Sequence, residues 1–168
     1  TPKLANDLKA IEGQSVLRTA IAAGAPKSVL GALCHLGPEA LEAADASGRL
    51  PLHLACRYPV ASTVNVAMQV LIAAYPAALL HRDEQGRTPL HYLLWYHAPQ
   101  RKPETVALFV KNLNHNETAV KLYQQQFPTQ VLPQQKLHAA LVSDNLYGCF
   151  PLHYAAVHGA SLAVLTVL

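Results

Sequence analysis

The chain contains 168 residues, of which 51% are hydrophobic and only 14% are charged, and its formal net charge is +3. Because a typical soluble protein has about 25% charged residues, this composition excludes a disordered chain and predicts one domain with a substantial buried core. The scattered basic residues do not indicate nucleic-acid binding, and Asn65, Gln69 and Pro76 interrupt the longest apolar run too soon for a transmembrane segment.

The three cysteines, Cys34, Cys56 and Cys149, lie far apart in the sequence. An odd number at such spacing predicts free thiols, so we expect an intracellular protein of a reducing compartment that is not secreted. The chain has no initiator methionine, and it stops within an apolar helical pattern at Val167 and Leu168. We therefore expect it to be part of a longer protein, in which targeting segments are not readable.

A six-residue motif, Gly-x-x-Pro-Leu-His, occurs three times, at 48–53, 86–91 and 148–153. Glycine permits a turn backbone that other residues resist. Proline suits the first position of a helix, where its missing N–H costs nothing. The histidine follows at a position from which its ring is expected to bond the turn. Each copy therefore predicts a tight turn that leads into a helix.

The spacing of these copies predicts a repeat protein. Gly48 and Gly86 are 38 residues apart, whereas Gly86 and Gly148 are 62 apart, which is about two periods. We therefore expect a hidden copy at 116–121 and another, upstream, at 13–18. The result is five units of about 33 residues within one domain, 1–168, and their approximate bounds are 10–44, 45–82, 83–112, 113–144 and 145–168, the last incomplete.

Within each unit the apolar pattern predicts two helices. In chain order they cover 51–57 and 64–74 in the second unit, 89–97 and 104–113 in the third, and 118–127 and 134–142 in the degenerate fourth. The fifth has a first helix from Pro151 and an incomplete second helix. Helices this short cannot bury their apolar faces alone, so the units are expected to stack and share one elongated core.

These copies resemble ankyrin repeats. Asp45, Asp83 and Asn145 stand where the family has the aspartate that opens its turn, and Gly24 and Gly159 match its glycine between helices. The resemblance implies an all-α fold, an ankyrin-repeat solenoid of stacked antiparallel helix pairs with short β-hairpin-type turns. It also implies a non-enzymatic scaffold without a cofactor or metal, which binds a protein partner, and we expect that partner to belong to a multi-subunit complex.

Family members bind through the tips of the turns and the concave face of the first helices. Carried over by position, the binding residues are Ala46, Ser47, Arg49, Arg57, Tyr58, Glu84, Gln85, Arg87, Trp95, Tyr96, Gln125, Gln126, Leu146, Tyr147, Cys149, Val157 and His158. Trp95 and Tyr96 are the sharpest candidates, because aromatic hot spots contribute ~2 kcal/mol or more to binding. The alternative is that Trp95 packs under the linker at 98–103.

A second interaction surface is predicted on the helix at 64–74. Only Asn65 and Gln69 are polar there, whereas a water-facing helix normally carries a wider polar stripe. We expect Met68 and Ile72 to lie on an exposed apolar patch that packs in an assembly. The alternative is that small alanine side chains account for the apolar character of this face and that no partner binds it.

The residue patterns favour no enzyme chemistry. His53, His91 and His153 recur one repeat apart, or ~10 Å for stacked helices, whereas metal ligands converge within ~2.1 Å of one ion. The chain contains no nucleophile elbow and no phosphate-binding loop. Two alternatives to a reversible scaffold stay open: the substrate-recognition or regulatory region of a multidomain enzyme, and a purely architectural subunit of a stable assembly.

Overall fold

The computed structural model describes residues 16–58, 64–96, 102–115, 121 and 148–167. Within these ranges every regular element is a helix and no strand occurs, so the predicted all-α class is confirmed. In chain order the elements are α1 through 16–22, α2 (Lys27–Leu36), α3 (Glu39–Glu42), α4 (Pro51–Arg57), α5 (Val64–Ala74), a 3-10 helix (Pro76–Leu80), α6 (Pro89–Trp95), α7 (Pro103–His115), α8 (Pro151–Val157) and α9 (Leu162–Leu165).

Three of the helices, α4, α6 and α8, share one design. Each begins at the proline of the motif and has seven residues. The residue before each proline is extended, with ψ between 158° and 166°, because a following proline disfavours the helical region. The helix therefore starts sharply at the proline. The predicted bounds of α4 and α5 are the observed ones, whereas α6 ends two residues earlier than predicted.

The helices pack in two rows. In the first row α4 packs against α6, and α6 packs against α8. In the second row α2 packs against α5, α5 against α7, and α7 against α9. The pairs α4 with α5 and α8 with α9 connect the two rows. Buried side chains from both rows form one continuous apolar core.

The direct contact between α6 and α8 bears on the predicted fourth unit. That unit, 113–144, lies almost wholly outside the described residues, and α6 packs directly against α8. Its predicted start also falls inside α7, which continues to His115. The turn at Gly148 therefore follows the turn at Gly86 in the first row.

The expectation of an exposed patch at Met68 and Ile72 is wrong. Met68 is 0% exposed and Ile72 is 5% exposed, because α5 packs against α2, α4 and α7. Among residues 66–74 of α5, whose burial is described, the exposed positions are Gln69 and the small Ala73 and Ala74. Packing against three helices explains why its polar stripe is so narrow. Each helix in the described part of the chain is too short or too polar to cross a membrane.

Candidate functional site

The turns that precede α4 and α6 are each organised by an aspartate. The Oδ1 of Asp83 accepts hydrogen bonds from the N–H groups of Gln85 and Arg87, at 2.9 and 2.8 Å. Its Oδ2 accepts from Nε of Arg87 at 3.0 Å and from the hydroxyl of Tyr92 at 2.7 Å. Gln85 and Arg87 therefore brace their own turn. Burial, followed by the bond to Asp83, raises the pKa of Tyr92 far above its ordinary value.

The turn at Asp45 repeats this geometry. Its Oδ1 accepts from the N–H groups of Ser47 and Arg49, both at 2.9 Å, and the Arg49 guanidinium lies 2.8 Å from Oδ2. Burial works to raise the pKa of the Asp45 carboxyl, but these hydrogen bonds and the charge of Arg49 outweigh it and hold that pKa below its usual range. Arg49, predicted as a binding residue, is therefore largely a structural brace.

The tips of these two turns are joined through the backbone. The N–H of Glu84 donates to the main-chain oxygen of Ser47 at 3.1 Å. Gly48 makes this approach possible, since its φ is +75° and a Cβ at that position would lie 2.9 Å from the nitrogen of Glu84. The side chains of Ala46 and Glu84 are exposed. They are the parts of the predicted tips that face solvent most fully.

The motif histidines bond the turns from which they emerge, as predicted. Nδ1 of His53 accepts the N–H of Leu50 at 3.1 Å, and Nδ1 of His91 accepts that of Thr88 at 3.0 Å. The same bond links His153 to Phe150 at 3.0 Å. Because Nδ1 is an acceptor, the proton of the neutral ring lies on Nε2.

The second ring nitrogen connects neighbouring helices. Nε2 of His53 donates to the main-chain oxygen of Arg87, and Nε2 of His91 donates to that of Cys149, both at 3.2 Å. Burial lowers the pKa of His53 from 6.5 to about 4, so the ring stays neutral at physiological pH. The local motif did not predict these bonds.

Sequence reasoning also missed the role of Arg18. Aligned by the motif, Arg18 stands where His53 and His91 stand in later copies. Its guanidinium donates to the main-chain oxygens of Ala43, at 2.7 Å, and of Arg49, at 3.4 Å. Arg49 occupies in its turn the position that Arg87 occupies in the following turn. The longer side chain of Arg18 therefore reaches the main-chain oxygen that corresponds to the acceptor of His53. The sequence indicates this role only by an arginine at the position of the motif histidine.

Four predicted concave-face residues form a continuous stack, which we call the aromatic row: Arg57, Tyr96, Trp95 and His158. The guanidinium carbon of Arg57 lies 5.1 Å from the centre of the Tyr96 ring. Tyr96 stacks on Trp95 with ring centres 5.2 Å apart, and Trp95 stacks on His158 at 6.1 Å, both with an angle of 27° between planes. The row therefore crosses α4, α6 and α8.

The aromatic row rests on a second layer of side chains. Trp95 contacts Tyr92 and Tyr154, with ring centres 6.5 and 5.5 Å apart. The guanidinium carbon of Arg87 lies 5.0 Å from the centre of the Trp95 ring and 5.1 Å from that of Tyr92. This packing holds the indole in place while it stays only half-buried. The alternative packing partner of Trp95 is the linker at 98–103, of which residues 98–101 lie outside the described residues.

The remaining predicted site residues differ in their exposure, and four of them lie outside the described residues. Val157 is 79% exposed beside the row, and Tyr58 is half-buried at the end of α4. Cys149 contributes its carbonyl to His91. Gln125, Gln126, Leu146 and Tyr147 lie outside the described residues. Cys34, Cys56 and Cys149 form no disulfide with one another, and the described ranges contain no group of three or more His, Cys, Asp or Glu side chains placed to hold a metal ion.

The chain matches no protein-family model and no curated protein sequence.

Proposed function

We propose that this chain is a non-enzymatic, protein-binding module built as an ankyrin-type solenoid, and that the aromatic row is its principal recognition surface. The row is the single observation that carries the proposal. Its four side chains lie at the C-terminal ends of three successive first-row helices, at the position where the family resemblance places the ligand.

The regular spacing of the turns supports the solenoid. Hydrogen bonds of equal length, 3.2 Å, link His53 to Arg87 and His91 to Cys149. The rings of the same histidines also meet the next helix in the same way, since His53 lies edge-on to Tyr92 at 5.5 Å and His91 to Tyr154 at 5.2 Å. Identical contacts between successive helices are what a stack of equivalent units requires.

Rigidity makes the aromatic row suitable for recognition. A binding surface whose side chains are already ordered loses less conformational entropy when a partner arrives. Stacking fixes Trp95 between Tyr96 and His158, and Arg57 is held against Tyr96. Tryptophan, tyrosine and arginine are also the residues most enriched at binding hot spots.

The charge of the row indicates the partner. Arg57 is not paired with a carboxylate within the described residues, and the buried Asp83 is paired with Arg87. A protein segment that combines an apolar or aromatic side chain with an acidic one is therefore complementary to this surface.

The test compares proteins captured from a cell lysate by three versions of the chain. The first is unchanged, the second carries Trp95→Ala with Arg57→Ala, and the third carries Val29→Ala with Leu36→Ala, two exposed residues of α2. Binding to a captured partner is then titrated with purified protein. Loss of hot-spot contacts is expected to weaken binding by about tenfold or more in the second version only.

The only tryptophan of the chain gives an independent readout. A partner that covers the aromatic row is expected to shift the fluorescence of Trp95, and quenching by iodide should decrease. Unfolding curves of all three versions establish that the compared proteins are folded. Equal affinity of the three versions for every captured protein would contradict the proposal.

A further inference from the structure

The outward face of α8 differs from the corresponding faces of α4 and α6. Leu52 and Leu90 are 1% and 2% exposed, whereas Leu152, at the same motif position, is 41% exposed. Cys56 and Leu94 are likewise buried, and the equivalent Ala156 is exposed. Both α4 and α6 pack against the next first-row helix.

The motif histidines show the same difference. His53 and His91 are completely buried, and each uses Nε2 to bond the turn of the next helix. His153 makes the equivalent Nδ1 bond to its own turn, but its ring is exposed. No described residue supplies an acceptor for its Nε2.

From these matched positions we infer that the face formed by Leu152, His153 and Ala156, the end face, binds a further helix pair of the same kind. The interface would continue the one that already joins α4 to α6 and α6 to α8. A terminal repeat that ends a stack carries a polar outer face, whereas this face presents leucine and alanine. The inference does not depend on the aromatic row.

The existing interfaces define what the occupant must present. Its turn supplies a main-chain carbonyl to Nε2 of His153, as Arg87 does for His53. Its first helix supplies an aromatic residue one position after the motif histidine, as Tyr92 does. Apolar side chains of this first helix cover Leu152 and Ala156.

The chain itself provides a suitable occupant for a test. Buried Val164 of α9 corresponds to buried Met68 of α5, so Leu168 falls at the position of Ile72. A copy of residues 73–115 appended to Leu168 therefore completes the second-row helix and adds one turn with its two helices. The appended turn brings its own copies of the Arg87 carbonyl and of Tyr92 to the end face.

Thiol reactivity measures whether the end face is covered. Leu152→Cys is introduced in the original and extended chains, and the rate of alkylation is compared. We expect extension to slow the reaction by about tenfold or more, since buried groups react only through local opening. Leu36→Cys, at an 83% exposed position of α2, is the matched control and should react equally fast in both chains. Ala156→Cys gives a second reading if Leu152→Cys disturbs folding.

Unfolding in urea supplies a second measurement. The extended chain is expected to unfold in one transition at a higher urea concentration, because neighbouring units in a stack stabilise one another. Leu152→Glu should abolish this shift. Equal alkylation of Leu152→Cys in both chains would overturn the inference. Concentration-dependent protection in the original chain would also overturn it, since a second copy would then be the occupant.

Discussion

The imidazole of His53 donates from Nε2 to the main-chain oxygen of Arg87 at 3.2 Å, although the two residues are 34 positions apart. The other nitrogen of the same ring accepts the N–H of Leu50. One buried side chain therefore closes its own turn and holds the next turn in register. The bond from Leu50 requires the neutral ring, because a protonated histidine has no acceptor nitrogen.

This requirement predicts a loss of stability in acid. The pKa of His53 is about 4 in the folded chain and 6.5 ordinarily, so the unfolded chain binds more protons between these values. The contribution of His53 is complete above about pH 6.5 and falls as the pH decreases to about 4, by on the order of 3 kcal/mol. Urea unfolding at several pH values measures it. His53→Gln should be less stable at pH 7 but show a correspondingly smaller decrease in this window, and equal decreases would contradict the assignment.

Asp83 and Asp45 should contribute differently to the free energy of unfolding. Asp83 is 6% exposed and accepts from Tyr92 as well as from its turn, whereas Asp45 is only half-buried. We expect Asp83→Ala to lower the free energy of unfolding by about 3 kcal/mol and Asp45→Ala by about half as much, since hydrogen bonds to charged groups contribute more when buried. Urea denaturation compares them. Tyr92→Phe, which removes one bond, should cost about 1 kcal/mol; a larger loss for Asp45→Ala than for Asp83→Ala would contradict this account.

Alanine substitutions at Gly48 and Gly148 should distinguish the cost of backbone strain from the cost of a steric clash. Both have positive φ, +75° and +62°, but a Cβ at Gly48 would lie 2.9 Å from the nitrogen of Glu84, whereas one at Gly148 would meet nothing within 4 Å. Gly148→Ala should therefore cost about 1 kcal/mol for the left-handed backbone alone. Gly48→Ala should cost about 3 kcal/mol because the turns must also move apart. Thermal unfolding of both variants checks the order, and equal costs would show that the turns at 48 and 84 do not touch.

Replacement of Gly31 by alanine is expected to increase the stability of the protein. It lies in the middle of α2, beside a groove of about 670 Å³ between α2 and α5, and a Cβ there would meet nothing within 4 Å. Gly31→Ala should raise the free energy of unfolding by about 1 kcal/mol, since glycine is a poor helix former. Gly37→Ala, just beyond the end of the helix, is the control and should give no comparable gain. Destabilisation by Gly31→Ala would mean that the groove is occupied in the folded protein.

Local structure was predictable where the determining residues are close in sequence. Pro51 and Pro89 set the starts of α4 and α6, and the ring of His53 bonds a residue three positions away. These features depend on the chemistry of six adjacent residues. For the same reason the bounds of α5 followed from its apolar run.

The sequence by itself therefore determined the turns, the start of each first-row helix and the all-α class, because these depend on preferences of the local backbone. Only the tertiary structure decided that α6 lies against α8, that Met68 is buried, and that Arg18 replaces a histidine at the next turn. It also assembled the aromatic row from Arg57, Trp95 and His158. Each of these relationships joins residues on different helices, and packing free energy rather than local propensity selects which surfaces meet.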